Sequence, residues 1–177
     1  MTNLERTIIL DAIYVLNDIF HGLVAGTMVF EQYQGRFENG SFSNEGIVSV
    51  QKMCVSHIIL SLCKLCEFKE NYHQVIPDEI RPELKKLYSK INKLGIKEYR
   101  NTVVAHVKDN KTGRAKTQFE AVEILNRISE NSPRGFLRWI NDPNVYDYPK
   151  TVVSVVVELR DNLIEIHKVS AEEALYR

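Results

Sequence analysis

The chain has 177 residues with 23 basic and 23 acidic side chains, so its formal net charge is zero and no overall positive field is present to attract nucleic acid. Hydrophobic residues make up 44% and charged residues 26%, which is typical of a soluble globular protein with one sizeable core. The three cysteines, an odd number, and the acidic residues within the apolar pattern of the N-terminus argue against a secretory signal and predict a reducing, cytoplasmic location. No run of 18 uninterrupted apolar residues occurs, so no contact with a membrane is expected.

Helical periodicity dominates the first half of the chain. Apolar residues recur at helical spacing from residue 3 to about 33, and a turn rich in Gly, Asn and Ser follows at 35–46. A second helix is predicted at about 45–72, with Ser43 or Asn44 as its N-cap. Because this helix is apolar on more than one face, it is expected to lie at the centre of the fold.

The second half of the chain is also predicted to be helical. Pro77 and Pro82 mark the entry to a third helix, which Gly95 ends. Further helices are expected over 96–110 and 118–130, and shorter turns follow. The segment 151–169 begins with the β-branched run SVVV, but its leucines keep helical spacing and predict a long final helix. The expected fold is therefore all-α, an antiparallel bundle of four core helices with extra short helices, and residues 1–177 form one domain.

Charge is unevenly distributed along this neutral chain. Residues 77–116 hold eleven basic and five acidic side chains, whereas the segments on either side each carry a net charge of −3. A concentration of positive charge is what an anionic ligand requires, and it is also what a solvated lysine-rich helix shows. Both interpretations stay open on charge alone.

The basic segment contains an unusual stretch, EYRNTVVAHVKDN at 98–110. On an α-helix, His106 shares a face with Thr102 and Asp109, while Arg100 lies about 120° away from it. Arg100 is near the helix start, where backbone N–H groups are unpaired, so the arginine and these amides together favour a phosphate. Asp109 is placed to hold the imidazole of His106 and to favour its charged form.

The sequence RNTVVAH at 100–106 resembles the R-x4-6-H motif of HEPN domains (higher eukaryotes and prokaryotes nucleotide-binding). Asn101 matches the polar residue that often follows the arginine in that motif. LCKLCEF in the second helix, with Glu67, is similar to an Arg/Lys-Leu-x-acid pattern in the AbiU-type abortive-infection branch. The resemblance implies a HEPN-like helical bundle, in agreement with the periodicity.

The same resemblance implies cleavage of RNA by attack of a 2′-OH, with no metal and no cofactor. His106 would act as acid or base, Arg100 would stabilise the phosphate charge, and Asn101 would assist. Asp109, Thr102 and Glu67 would support this site. The family implies a homodimer with facing motifs, a role in phage defence or a toxin–antitoxin system, and an antitoxin or nucleotidyltransferase partner.

Other functions remain open beside the nuclease. One is a non-catalytic module that binds a nucleotide or docks a nucleotidyltransferase, and another is a plain helical scaffold. The position two residues after His106 is Lys108, where some toxin members have a tyrosine that an antitoxin modifies, so that mode of control is not supported. Cys63-x-x-Cys66 has zinc-ligand spacing, but it lies in a continuous helix and is interpreted as buried small residues.

Overall fold

The computed structural model describes residues 2–104, 113–145 and 147–175. Within these ranges all regular secondary structure is helical, which confirms the predicted all-α bundle. The α-helices are, in chain order, α1 (Asn3–Glu38), α2 (Asn44–Tyr72), α3 (Arg81–Lys93), α4 (Ile96–Tyr99), α5 (Gln118–Ile128), α6 (Pro133–Ile140), α7 (Val152–His167) and α8 (Ala171–Leu175). A 3-10 turn at His73–Val75 follows α2, and a π-helical turn at Arg100–Val104 follows α4.

The helices α1 and α2 form an antiparallel pair connected by a short turn. The Ser43 hydroxyl accepts a hydrogen bond from the backbone N–H of Gly46 at 3.1 Å, so Ser43 is the N-cap of α2. The first helix ends at Glu38 and not near residue 33 as predicted. The side chain of Gln34 donates to the Glu38 carboxylate at 2.9 Å, and such a pair, four residues apart, stabilises the additional turn.

Two glycines allow α1 and α2 to approach closely. A Cβ atom at Gly22 would lie 2.2 Å from the Ser61 hydroxyl oxygen, and one at Gly26 would lie 2.6 Å from Ile58 Cγ1. A larger residue at either position would force the facing side chains of α2 to move. The side chains around this contact form the centre of the core, namely Ile13, Leu16, Ile19, Leu23, Ile58, Ile59, Leu62, Leu65 and Phe68.

The helix α7 packs along α1 and completes the frame of the bundle. Its first turn is closed by a capping box in which Thr151 and Ser154 bond each other's backbone N–H groups, at 3.0 and 3.1 Å. The cap and the buried stripe of the helix outweigh the strand preference of SVVV, so the prediction of a helix is confirmed. The short α8 was not predicted, and it is attached to α1 by an ion pair of 2.6 Å between Arg6 and Glu173.

The region after α2 differs from its prediction in two places. The third helix begins at Arg81 with Pro82 in its first turn, so Pro77 precedes the helix and does not open it. Gly95 adopts a left-handed conformation with φ of 72°, and it separates α3 from α4 as expected. The helix predicted from residue 96 is present in its described part, but its geometry differs from the expected α-helix, because α4 ends after one turn and continues as the π-helical turn. Residues 105–112 lie outside the described part of the chain.

Among the described residues, two helical segments are apolar and long enough to cross a membrane by length and composition, Asn3–Glu38 and Asn44–Val75. The expectation based on uninterrupted apolar runs did not identify them, because each contains interspersed charged residues. In the structure they pack on each other and supply a large part of the core, with 39% and 44% of their most apolar windows buried. Core helices of soluble proteins have the same length and composition.

Candidate functional site

The π-helical turn places Arg100 against the side of α2. The preceding α4 is anchored in the core by Ile96 and Tyr99, which are 0% and 6% exposed. A π-turn widens the helix and shifts its hydrogen bonds to i→i+5, an arrangement that recurs at functional sites. The angle of 120° expected between Arg100 and His106 assumed a continuous α-helix, whereas the described part of that segment, Arg100–Val104, is π-helical.

The guanidinium of Arg100 has few close partners for a group that is only half-exposed. Its Nη2 lies 3.8 Å from a carboxylate oxygen of Glu67, and its Nη1 donates to the side-chain oxygen of Asn101 at 3.4 Å. Both contacts are long for charge-assisted bonds, which are ordinarily about 2.7–2.9 Å. Its Nε is buried and finds no acceptor among the described residues. The two Nη groups, which make only long contacts, therefore have donors available for an anionic ligand.

The structure accounts differently for the other predicted site residues. Asn101 is exposed beside Arg100, and Glu67 is half-exposed on α2, so the structure brings these three side chains together. Thr102 is engaged differently, because its hydroxyl donates to the backbone carbonyl of Glu98 at 2.8 Å. His106 and Asp109 lie outside the described residues, so their positions relative to Arg100 stay a prediction.

A cleft of about 220 Å³ opens between α1 and α2 beside Arg100. Its polar lining includes His57, for which the sequence predicted no role. The full lining is Asp18, His57, Leu60, Ser61, Cys63, Lys64, Glu67 and Arg100. His57, Ser61, Lys64 and Glu67 recur at helical spacing along α2, which places them on one face of this helix.

Charges within the cleft are partly paired. The ammonium group of Lys64 contacts the carboxylate of Asp18 at 2.5 Å. Burial raises the pKa of the Cys63 thiol to about 11, although the nearby Arg100 acts to lower it. Cys63 is therefore a neutral thiol near pH 7 and a poor nucleophile.

All three cysteines are buried and free, which confirms their interpretation as small core residues. Within the described ranges, no group of three His, Cys, Asp or Glu side chains is arranged to hold a metal ion.

A second, more open depression of about 700 Å³ lies along the exposed face of α3. Its lining includes four lysines, and it continues through Leu94 toward α4. We call it the lysine groove: Pro82, Lys85, Lys86, Ser89, Lys90, Lys93, Leu94 and Glu130. The Lys90 ammonium lies 4.3 Å from the ring centroid of Trp139, and Lys86 pairs with Glu83 at 2.6 Å. Among the residues that the structure describes, Lys85 and Lys93 pair with no carboxylate, so the groove presents positive charge to solvent.

Comparison with known proteins identifies a fold but not a family. No family model and no curated protein matches the sequence. Among solved structures, the chain is similar to an integron cassette protein from the mobile metagenome of V. paracholerae, with 23% identity and a TM-score of 0.76 over 88% of this chain and 95% of that chain. The two chains therefore share the helical-bundle fold over nearly their whole lengths.

Proposed function

We propose that the protein is a metal-independent endoribonuclease in which Arg100 stabilises the scissile phosphate and His106 transfers protons. The observation that carries this proposal is the guanidinium of Arg100, which is held half-buried beside a cleft with long contacts and with an Nε that has no acceptor among the described residues. An arginine that served only as structural support would form shorter, paired bonds. Asn101, exposed next to it, adds an amide donor for the same phosphate.

The reaction requires only groups that RNA and this motif supply. The ribose 2′-oxygen loses its proton to a base and attacks the adjacent phosphorus, and the 5′-oxygen leaves with a proton from an acid. The products are a 2′,3′-cyclic phosphate and a free 5′-hydroxyl. A histidine suits both proton transfers near neutral pH, so we assign them to His106, with Asp109 orienting the imidazole. Arg100 stabilises the negative charge that accumulates on the phosphate oxygens.

The lysine groove supports RNA as the substrate. Leu94 at its end is six residues from Arg100, so the two regions are separated by at most about 23 Å of chain. A flexible row of ammonium groups contacts successive phosphates without reading sequence, and such binding weakens as salt is added. A protein with no net charge can therefore attract RNA locally.

The proposed assembly is a homodimer in which two Arg100–His106 motifs face one cleft. In this arrangement the arginine of one chain serves the histidine of the other, so one helix need not aim both at one phosphate. We place the protein in the cytoplasm, in a phage-defence or toxin–antitoxin system, where an antitoxin or a nucleotidyltransferase would restrain it. A second candidate function is non-catalytic nucleotide binding, which the small polar cleft favours because it would not need His106.

A cleavage assay on end-labelled structured RNA in the presence of EDTA tests the proposal. We expect wild-type protein to cleave, and we expect His106→Ala to be about 10²–10⁴-fold slower, the usual effect of removing a general acid or base. His73→Gln, which changes an exposed histidine on the 3-10 turn, is the matched control and should keep full activity. Equal rates for wild type and His106→Ala would reject the nuclease and leave nucleotide binding.

The same assay tests the assembly. Arg100→Ala chains mixed with His106→Ala chains should recover activity that neither variant has alone, because a mixed dimer regains one complete set of groups. No recovery, from chains shown by sedimentation to form mixed dimers, would mean that the two residues act within one chain.

A further inference from the structure

The cleft between α1 and α2 has polar side chains of α2 beside Arg100. His57, Ser61 and Glu67 lie on one face of α2, where their backbone positions span about 15 Å of helix. Their side chains nevertheless line the same cleft of about 220 Å³ as Arg100, which lies next to Glu67. We call this cleft the trough; Arg100 and His57 both border its small volume.

The wall formed by α1 is shaped by a glycine. A Cβ atom at Gly22 would lie 2.2 Å from the Ser61 hydroxyl oxygen and 3.3 Å from the His57 Nε2 atom. The imidazole nitrogen therefore faces α1 across the space that the missing side chain leaves. Any larger residue at this position would displace the Ser61 side chain and crowd the imidazole, so the absence of a side chain here maintains the trough.

Some of the charged groups that line the trough are paired with each other, and the others can bind a ligand. Lys64 and Asp18 are 2.5 Å apart and largely neutralise each other. The Nη groups of Arg100 make only long contacts, 3.8 Å to Glu67 and 3.4 Å to Asn101, and Glu67 makes its 3.8 Å contact from a half-exposed position. The trough therefore offers cationic or neutral donors from Arg100 and His57, together with one carboxylate that can accept a hydrogen bond from a ligand hydroxyl.

We propose that this trough binds one ribose-phosphate unit, an inference that rests on the proposed action on RNA. Arg100 and His57 donate to the phosphate oxygens, and Glu67 accepts a hydrogen bond from a ribose hydroxyl. The volume of about 220 Å³ is below the roughly 300 Å³ at which pockets enclose whole small-molecule ligands, so the base lies outside. Binding in the trough is accordingly independent of the base and sensitive to the sugar.

The proposal is tested by following histidine imidazole resonances by NMR while uridine 3′-monophosphate is added at constant ionic strength. We expect the His57 signals to shift saturably and those of His73 to stay in place. The 2′-deoxy nucleotide and inorganic phosphate should bind more weakly, because neither offers the ribose 2′-hydroxyl. Removing one charge-assisted donor with His57→Gln should weaken binding of the ribonucleotide roughly tenfold or more, while His73→Gln leaves it unchanged.

The outcomes separate this inference from the nuclease itself. A protein that fails to cleave RNA but shows the saturable His57 shift keeps the trough and loses the nuclease. RNA cleavage without any His57 shift overturns the trough and leaves the nuclease standing. Equal affinities for the ribo- and 2′-deoxynucleotides overturn the assignment of the ribose to Glu67. Circular dichroism of His57→Gln, expected to match wild type because this side chain is exposed, distinguishes lost binding from lost fold.

Discussion

Buried polar groups are hydrogen-bonded to different degrees in two regions of the molecule. The first region is the frame formed by α1, α2 and α7, and the second is the π-helical turn that carries Arg100. In the frame, the buried hydroxyl of Thr27 donates to the Leu23 carbonyl at 2.9 Å and accepts from the Asn141 amide at 3.0 Å. In the turn, Arg100 has a buried nitrogen without an acceptor among the described residues and two long contacts. A buried polar group left unpaired costs free energy, so this nitrogen does not add to the stability of the turn.

If the proposed function holds, stability and ligand binding reside in separable groups of residues. Substitutions in the frame should lower the free energy of unfolding and leave the chemistry of each folded molecule intact. Substitutions in the turn should lower the activity of each folded molecule and leave the free energy of unfolding nearly unchanged. The two regions meet at α2, whose inner face belongs to the core and whose outer face forms the trough.

The largest difference between the effect on cleavage and the effect on stability is expected for Arg100→Lys. A lysine keeps the charge but loses the planar set of donors, so cleavage should fall about 10²–10³-fold, as when one donor to a developing charge is removed. The melting temperature should barely change, because the contacts that are lost are 3.4 and 3.8 Å long. Arg127→Lys is the matched control, since Arg127 pairs with Glu98 at 3.2 Å near the same turn. A marked drop in melting temperature for Arg100→Lys alone would make Arg100 a structural residue.

The opposite result, a loss of stability without a loss of activity, is expected for Leu16→Ala in the frame. Leu16 is fully buried between the core helices, and truncation of such a residue costs about 2–5 kcal/mol. For a chain of this length each kcal/mol lowers the melting temperature by about 2–4 °C. Activity per folded molecule, measured well below the melting temperature, should stay at the wild-type level. Leu4→Ala, at a position that is 70% exposed, should leave both quantities unchanged. Loss of activity in folded Leu16→Ala would break the proposed separation.

The frame was predictable from sequence because its signals are local and consistent. Apolar spacing, the Ser43 cap and the glycine at residue 95 all act within a few residues, and each is found where it was predicted. The end of α1 was missed because Gln34 and Glu38 extend the helix through a segment whose composition indicates a turn. The helix α8 was missed because its attachment joins residues 6 and 173, a contact that no local pattern encodes.

The candidate site was predictable only in part, for a related reason. Arg100, Asn101 and Glu67 were selected by motif, and the structure brings them together. The π-turn was not predicted, because the shift in its hydrogen bonds depends on how α4 is anchored in the core. His57 was not selected because its relation to Arg100 exists only once α1, opened by Gly22, lies against α2.

The smallest effect is expected where α8 meets the frame. Glu173 accepts from Arg6 at 2.6 Å and from the backbone N–H of Ser170 at 3.0 Å, and these bonds hold the pKa of its carboxyl at about 2, well below the usual value. Because the Glu173 side chain is 39% exposed, solvent screens the ion pair and Glu173→Gln should lower the melting temperature only slightly. RNA cleavage should stay unchanged, because the contact belongs to the frame.

The pH dependence of the difference in melting temperature between wild type and Glu173→Gln shows whether the charge of Glu173 causes it. The pKa of this carboxyl is lower in the folded chain than the roughly 4.3 of an unfolded glutamate, so the unfolded state takes up the proton first as pH falls. The stabilising contribution is therefore complete above about pH 5 and disappears toward pH 2. Melting temperatures of wild type and Glu173→Gln should differ at pH 7 and converge as pH is lowered through this range, whereas Glu172→Gln should match wild type at pH 7. A difference that persists unchanged at low pH would come from lost hydrogen bonds and not from the charge, and α8 would then be held to α1 without the ion pair.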